Sequence, residues 1–226
     1  MNILMILTSH DQMGDTGEKT GLWLEEFAAP FYVFQDAGAT ITLASPKGGA
    51  APIDPRSETE DAQTDATKRY YEDTRVQEAL QSTNKLADVE PENFDAVFVP
   101  GGHGPMFDLA TDKETQRVIQ GFQIGGRPIG AVCHAPAALL QAQDMDGRAM
   151  LAGRKVTGFS NAEEEAVGLT DAVPFLLEDA LKQVGATYEK RENFEPHVVT
   201  DGLLVTGQNP GSSAPTAKAL LELFPK

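Results

Sequence analysis

The sequence contains a single cysteine, Cys133, among its 226 residues. One thiol cannot form a disulfide within the chain, and it is too few for a zinc site built on paired cysteines. A chain this poor in cysteine is typical of a reducing compartment, so we expect a cytoplasmic protein.

Basic residues and long hydrophobic runs are also scarce. The chain has 18 Lys and Arg against 34 Asp and Glu, a formal net charge of −16 at pH 7, which repels a phosphate backbone. The apolar start, MNILMIL, is too short for a signal peptide or a membrane span, and no other segment is long enough to cross a bilayer. We therefore expect neither nucleic acid nor a membrane as a partner.

What is present is an ordinary globular composition, with 41% hydrophobic and 23% charged residues. The length suits one large domain spanning residues 1–226. Residues from about 45 to 72 are rich in Pro, Gly and acidic side chains, and they are too polar to form a core of their own. We interpret them as a surface excursion from that domain.

Short apolar segments of strand length alternate with segments of helical periodicity. This alternation predicts an α/β fold, a doubly wound and mostly parallel sheet with helices on both faces. Pro30 is expected to kink or break the first helix, which starts near Leu22. The expected strands cover residues 3–7, 39–44, 94–99, 128–132, 155–158, 197–200 and 203–206. The further helices are expected at residues 74–86, 114–122 and 174–184 and after Pro210.

Two loops at the carboxyl ends of predicted strands, PGGHG at residues 100–104 and GAVCHAP at residues 130–136, indicate a site. Cys133 follows an apolar strand and precedes a helix start, the arrangement of a nucleophile elbow, where unpaired amides favour a thiolate. The N–H groups of Gly102 and His134 could hold an oxyanion, and the His134 ring could move protons. A lone cysteine is more often a small buried apolar residue, but the Cys-His pair at a strand end favours catalysis.

These segments resemble the ThiJ/PfpI superfamily, which is structurally allied to the class I glutamine amidotransferases. The resemblance extends over nearly the whole chain. Within the superfamily, the chain is similar to the branch of heat-shock chaperones that act as glutathione-independent glyoxalases. It implies a flavodoxin-like fold with a nucleophile elbow. The segments that carry it, in order, are KTGLWLEEFAAPF, SPKGG, PIDPRS, DAVFVPGGHGPMFDL, AVCHAPAALL, VTGFSNAEE, PFLLEDAL and DGLLVTGQNPGSS.

The resemblance assigns roles to individual residues. It makes Cys133 the nucleophile and His134 its partner, and the spacing E-x-x-x-P-F places an acid that hydrogen-bonds the thiol at Glu26 rather than Glu25. A carboxyl beside a thiol in a partly apolar crevice should have a raised pKa. A third acidic residue, which orients the histidine, matches Glu164 best, with the flanking Glu163 and Glu165 left open.

The function that this resemblance implies is the conversion of methylglyoxal to lactate through a cysteine hemithioacetal, without a cofactor. Gly101, Gly102 and His103 would line the substrate site beside His134, and a small aldehyde or dicarbonyl would be the partner. No metal is expected, because His10, His103 and His197 lack zinc-ligand spacing.

Other readings stay open on the sequence alone. Amide or peptide hydrolysis and protein deglycation would use the same nucleophile. A stress-responsive holdase chaperone would instead need exposed apolar surface, and a redox sensor would need an oxidisable thiol. The relatives implied by the resemblance are mostly homodimers, so we expect a homodimer.

Overall fold

A computed structural model describes residues 1–224 and shows a seven-stranded sheet flanked by helices. The strand order is β3-β2-β1-β4-β5-β9-β8, and every neighbouring pair is parallel except β8 and β9. The strands are β1 (Asn2–Ile6), β2 (Thr40–Ser45), β3 (Asn84–Lys85), β4 (Ala96–Val99), β5 (Ile129–Val132), β6 (Lys155–Val156), β7 (Thr187–Tyr188), β8 (Val198–Asp201) and β9 (Leu204–Gly207). The short strands β6 and β7 pair separately from this sheet.

The helices cover the sheet and complete its core. The helix that follows β1 packs against the C-terminal helix. The helices are α1 (Leu24–Asp36), α2 (Asp65–Glu72), α3 (Thr74–Gln81), α4 (Gly104–Phe107), α5 (Lys113–Ile124), α6 (Asn161–Ala166), α7 (Leu177–Gln183) and α8 (Ser213–Leu221). Within residues 1–224, no helix combines the length and the apolar character that crossing a bilayer requires.

The strands at the centre of the sheet are the apolar runs that the sequence predicts. Every residue of β4, β5 and β9 is buried, as are Ile3–Ile6 of β1, because helices cover both of their faces. The α/β, mostly parallel, flavodoxin-like fold expected from the sequence is confirmed. The carboxyl ends of β1, β4 and β5, which are neighbours in the sheet, deliver their loops to the same edge.

Two features of the expected helices are wrong: the break at Pro30 and the helix end near residue 86. Helix α1 continues through Pro30 to Asp36, since the buried apolar face on both sides of the proline outweighs the loss of one backbone hydrogen bond. The helix expected over residues 74–86 ends at Gln81. There the chain turns to pair with β2, and the N–H of Thr83 donates to the carbonyl of Gly49 at 2.9 Å.

The polar segment at residues 45–72 is more ordered than its composition indicates. It contains two 3-10 turns, Pro55–Glu58 and Glu60–Ala62, and then the amphipathic helix α2, whose Tyr70 is buried against α1. The Asp54 side chain, just before the first turn, is completely buried. The segment therefore contributes interior contacts as well as surface.

Candidate active site

Cys133 lies on a sharp turn at the end of β5. Its φ is +61°, a value that residues other than glycine rarely adopt and that costs about 1–3 kcal/mol. Backbone hydrogen bonds on both sides hold this turn: the Cys133 N–H donates to Gly207 at 2.9 Å, and its carbonyl accepts from the Phe159 N–H at 2.9 Å. A 3-10 helix, Ala135–Leu139, follows. The structure thus has the strained elbow that the sequence predicts.

The His134 ring connects this thiol to a carboxylate. Its Nδ1 lies 3.2 Å from Cys133 Sγ, and its Nε2 lies 2.6 Å from Glu164 Oε2. The Nε2–H donates to the carboxylate, so Nδ1 is the atom that can take a proton from the thiol. Sulfur, imidazole and carboxylate form a continuous row, and all three side chains are buried.

The three consecutive glutamates at the start of α6 have different surroundings. Glu164 faces His134, whereas Glu163 accepts hydrogen bonds from Ser160 at the helix start and from the Phe194 N–H at 2.8 Å. Glu165 is exposed. Of the residues left open by the sequence, the structure brings Glu164 to the histidine and makes Glu163 a link between α6 and the residues around Phe194.

Glu164 also accepts a hydrogen bond from a second imidazole. His103 Nε2 lies 2.8 Å from Glu164 Oε1, and the rings of His103 and His134 are 4.0 Å apart between centroids. Burial alone would raise the pKa of Glu164, but the electrostatic interaction with the His134 imidazole and the hydrogen bonds from both imidazoles outweigh burial and lower it. Glu164 is therefore a carboxylate at neutral pH.

His103 is held neutral and in one tautomer. Burial, together with the neighbouring His134, lowers the pKa of His103 to about 4. Arg56 Nη2 lies 3.3 Å from His103 Nδ1 and can only donate, so His103 carries its proton on Nε2 and donates it to Glu164. Both ring nitrogens are thus engaged. The sequence predicts a substrate contact for His103, but its polar atoms face other protein groups.

No role is predicted from the sequence for Asp54 and Arg56, the two residues that hold the Nδ1 side of His103. Arg56 Nε donates to Asp54 Oδ1 at 3.0 Å, and Thr20 Oγ donates to Asp54 Oδ2 at 2.8 Å. Burial opposes ionisation of Asp54, but Arg56 outweighs it and lowers the pKa of Asp54. The segment PIDPRS carries part of the family resemblance. The spacing D-x-R within it is the feature of the sequence from which this ion pair could have been predicted.

Glu26 is completely buried in the first turn of α1. Gly101 lets it approach the thiol: a Cβ at Gly101 would lie 2.3 Å from Glu26 Oε2 and 2.9 Å from Cys133 Cβ. Among residues 1–224, neither carboxyl oxygen has a hydrogen bond of good geometry. Burial raises the pKa of Glu26 to about 8, against the smaller lowering effects of the nearby thiol and of the Gly102 and Gly101 amides. Glu26 is therefore mostly a neutral acid at pH 7.

The neighbouring Glu25 has a different role. Its carboxylate accepts a hydrogen bond from the Thr64 hydroxyl, at the N-cap of α2, and so ties α1 to α2. The spacing in the sequence favours Glu26 over Glu25, and in the structure Glu26 is the one that faces the sulfur.

The expectation that the elbow favours a resting thiolate is wrong. Burial raises the pKa of Cys133 well above its ordinary value, and a negative charge on Glu26 adds to this effect, while the Gly102 N–H opposes it weakly. In a cysteine that is only 3% exposed, desolvation destabilises the thiolate more than the few amides of a short turn stabilise it. The resting pair is a neutral thiol beside a neutral carboxyl, and ionisation of the thiol requires proton transfer to His134.

A cavity of about 270 Å³ opens above these groups. It is slightly smaller than the roughly 300–1,000 Å³ of typical clefts for small molecules, and its wall is mostly apolar. Its lining residues are Trp23, Glu26, Arg56, Gly102, His103, Cys133, His134, Phe159, Val167, Phe194 and Pro210.

The buried side chains of His103, His134 and Glu164 offer three potential metal-ligand atoms within 4.8 Å of one another. The Nε2 atoms of His103 and His134 each already share a hydrogen bond with the Glu164 carboxylate, so a cation bound at these two nitrogens would have to break both bonds. His10 Nε2 lies 2.6 Å from the Gln12 carbonyl, and its ring stacks on Phe107. The sequence-based expectation of no metal remains a prediction.

Known proteins are similar to this chain over nearly its whole length. Residues 20–223 match the DJ-1/PfpI family. The chain is 31% identical to Glyoxalase 3 of Candida albicans, covering 99% of this chain and 98% of that protein. It is 30% identical to glutathione-independent glyoxalase HSP31 of Saccharomyces cerevisiae, covering 95% of this chain and 94% of that protein.

Solved structures give the same result. The crystal structure of glyoxalase III from Candida albicans superposes with a TM-score of 0.91 at 31% identity, covering 100% of this chain and 98% of that one. Rapid Encystment Protein 24 kDa of Francisella tularensis superposes with a TM-score of 0.94 at 38% identity, with 99% of each chain covered. The resemblance drawn from the sequence is confirmed, and the chain belongs to the DJ-1/PfpI family.

Proposed function

We propose that this protein is a glutathione-independent glyoxalase that converts methylglyoxal and water to lactate at Cys133. The observation that carries the proposal is the position of Cys133 Sγ, 3.2 Å from a histidine base and beside the neutral Glu26 carboxyl, at the base of a small cavity. The full-length relatives named as glyoxalases support it.

In the first step the sulfur attacks the aldehyde carbon. The thiol proton passes to His134 Nδ1 as the S–C bond forms, and the resulting imidazolium is stabilised by Glu164. The aldehyde oxygen takes the proton of the Glu26 carboxyl, with the amides of Gly102 and His134 as donors to the developing charge. The product is a neutral hemithioacetal on Cys133.

In the second step the hydrogen on the former aldehyde carbon is transferred to the former ketone carbon. The Glu26 carboxylate removes the hydrogen from the former aldehyde carbon while the His134 imidazolium protonates the ketone oxygen, and a neutral enediol forms. Glu26 then gives its proton to the adjacent carbon and His134 takes the proton of the hydroxyl on the sulfur-bearing carbon, which gives a lactoyl thioester on Cys133. Water attacks the thioester and gives a proton to Glu26, lactic acid leaves, and the sulfur recovers its proton from His134. The sequence needs no external thiol, oxidant or reductant.

The shape of the cavity favours a small dicarbonyl over an amide substrate. Its volume, about 270 Å³, leaves little room for a peptide chain on both sides of a scissile bond. Amide hydrolysis would use the same sulfur and histidine, so the experiment must distinguish the two reactions.

The test uses purified protein with methylglyoxal and no glutathione, and it measures lactate by NMR. The wild type should form lactate. The Glu26→Gln variant should lower kcat by about 100-fold or more, because the amide cannot exchange the protons. The matched control is Glu25→Gln, which alters the adjacent carboxyl that faces Thr64 and should keep most of the activity. Hydrolysis of amide or peptide substrates without lactate formation by the wild type would overturn the proposal.

A further inference from the structure

Apolar side chains form the mouth of the cavity. Phe194 and Val167 line it while 50% and 42% exposed, in a protein whose large apolar side chains are mostly buried. Phe159, which is 5% exposed and 6.4 Å from Phe194 between ring centroids, and Trp23 also line the cavity. An exposed apolar rim around a buried reactive group is typical of a surface that a ligand covers.

The structure holds Phe194 at this mouth in a strained conformation. Its φ is +64°, an outlier for a bulky residue and a feature that clusters at ligand sites. The Phe194 N–H donates to Glu163 Oε1 at 2.8 Å. Asn209 Nδ2 donates to the same oxygen at 2.9 Å and to the Glu195 carbonyl at 2.7 Å. The buried Glu163, which is adjacent to Glu164 in the chain, therefore fixes Phe194 over the cavity.

The charged groups around the cavity are already paired. Among residues 1–224, Arg56 is the one Lys or Arg that lines the cavity, and its guanidinium is bound by Asp54 and directed at His103. Within that part of the chain, an anionic substituent on a substrate would meet no unpaired cation in the cavity wall. Hydroxyl groups placed against the apolar rim would lose their water without gaining partners.

We propose that Phe194 determines substrate specificity, and that the site prefers 2-oxoaldehydes whose substituent is an uncharged hydrocarbon chain longer than methyl. The inference rests on the proposed function. Cys133, at 3% exposure, and the half-exposed Phe194 line the same cavity, so a substituent on the sulfur-bound carbon can extend from its buried end to its exposed end. Each methylene that it buries should improve kcat/KM by roughly threefold to fourfold.

The experiment compares four substrates under identical conditions without glutathione: glyoxal, methylglyoxal, n-butylglyoxal and a polyhydroxylated 2-oxoaldehyde of similar length. For the wild type, kcat/KM should be at least about tenfold higher for n-butylglyoxal than for methylglyoxal. It should be lower for the polyhydroxylated compound than for methylglyoxal. The preference should arise mainly in KM, since the rim binds ground state and transition state alike.

The Phe194→Ala variant should reduce the ratio of the n-butylglyoxal and methylglyoxal values of kcat/KM to less than a third of the wild-type ratio. Phe194→Gly should do the same and also relieves the positive φ, which guards against a folding defect in the alanine variant. Phe194→Leu, which keeps a hydrocarbon side chain, should retain most of the preference. Ile124→Ala, at an exposed position at the end of α5, is the matched control and should leave the ratio unchanged.

The outcomes separate the two proposals. Turnover of 2-oxoaldehydes with no dependence on chain length, or a dependence that survives Phe194→Ala and Phe194→Gly, would overturn the role of Phe194 and leave the glyoxalase proposal intact. Absence of turnover for all four substrates by the folded wild type would overturn the glyoxalase proposal, and this inference with it.

Discussion

Glu26 is the side chain whose ionisation most clearly destabilises the folded protein. Burial raises its pKa to about 8 from an ordinary value of 4.5. In the folded chain the carboxyl keeps its proton at pH 7, which suits an acid that first donates to an aldehyde oxygen and then accepts a proton from carbon. The same burial links the fold to pH, because the unfolded chain releases this proton more easily.

We predict that Glu26 lowers the free energy of unfolding as pH rises from about 5 to 8. The contribution of neutral Glu26 is fully present below pH 4.5 and is lost as pH rises through about 8, with a size on the order of 5 kcal/mol. His103, whose pKa is lowered from 6.5 to about 4, acts in the opposite direction below about pH 6.5, so the effect of Glu26 is measured as the difference between variant and wild type. As pH rises from 5 to 8, the Tm of Glu26→Gln should increase relative to the Tm of the wild type. The exposed Glu165→Gln should behave like the wild type. Equal changes of Tm in Glu26→Gln and wild type would contradict the raised pKa.

The individual residues of the site differ in how far the sequence predicts them. Cys133 and His134 are adjacent, and Glu26 follows from a fixed spacing to Pro30 and Phe31, so local patterns locate them. The contacts of His103 with Arg56 and Glu164 join three segments that are far apart in the chain, and no local pattern encodes such a contact. The thiol pKa was misjudged for a related reason: burial of the sulfur depends on what packs over it from elsewhere in the chain.

Helix α6 places successive carboxylates in three environments, within a turn that begins at the Ser160 cap. Glu164 binds two imidazoles, Glu163 binds the cap and the Phe194 backbone, and Glu165 faces solvent. The helix thereby connects the row of proton-transfer groups to the rim of the cavity.

We predict that single glutamine substitutions in α6 separate these roles. Glu164→Gln should lower kcat by about 100-fold or more, because an amide cannot accept from both imidazoles and so imposes a wrong tautomer on one of them. Glu163→Gln should chiefly lower Tm, since a buried acceptor of several hydrogen bonds is weakened. Glu165→Gln should change neither. Thermal unfolding and steady-state kinetics on all three variants check this, and loss of activity in Glu165→Gln alone would refute it.

Among the elements, the fully buried strands were predictable and the marginal ones were not. The runs that became β1, β4 and β5 are apolar throughout, because helices cover both faces. Strands β3 and β7 have two residues each and lie at edges of their sheets, where pairing depends on the neighbouring strand rather than on composition. The capped helix α2 was missed because its polar face dominates its short sequence.

At the level of the whole protein, the formal charge of −16 spreads self-repulsion over the folded surface. We predict that raising salt from about 10 mM to about 150 mM increases Tm by about 2–4 °C, the shift that 1 kcal/mol gives a chain of this size. Differential scanning calorimetry in NaCl measures it. A decrease in Tm would mean instead that exposed ion pairs, such as Arg69 with Asp36, outweigh the repulsion.

Assembly and location remain predictions. The homodimer expected from the family resemblance can be checked by light scattering coupled to size-exclusion chromatography, and a molar mass near that of one 24.3 kDa chain would refute it. The cytoplasmic location expected from the low cysteine content can be checked by cell fractionation.

The most direct test of the account is the rate of lactate formation from methylglyoxal, without glutathione, by the wild type and by Cys133→Ala. The substitution removes the sulfur and leaves the strained turn and its backbone hydrogen bonds in place. We predict a loss of at least about 1,000-fold in kcat/KM with an unchanged fold by circular dichroism. Lactate formation by Cys133→Ala at a rate close to that of the wild type would contradict covalent catalysis at this site.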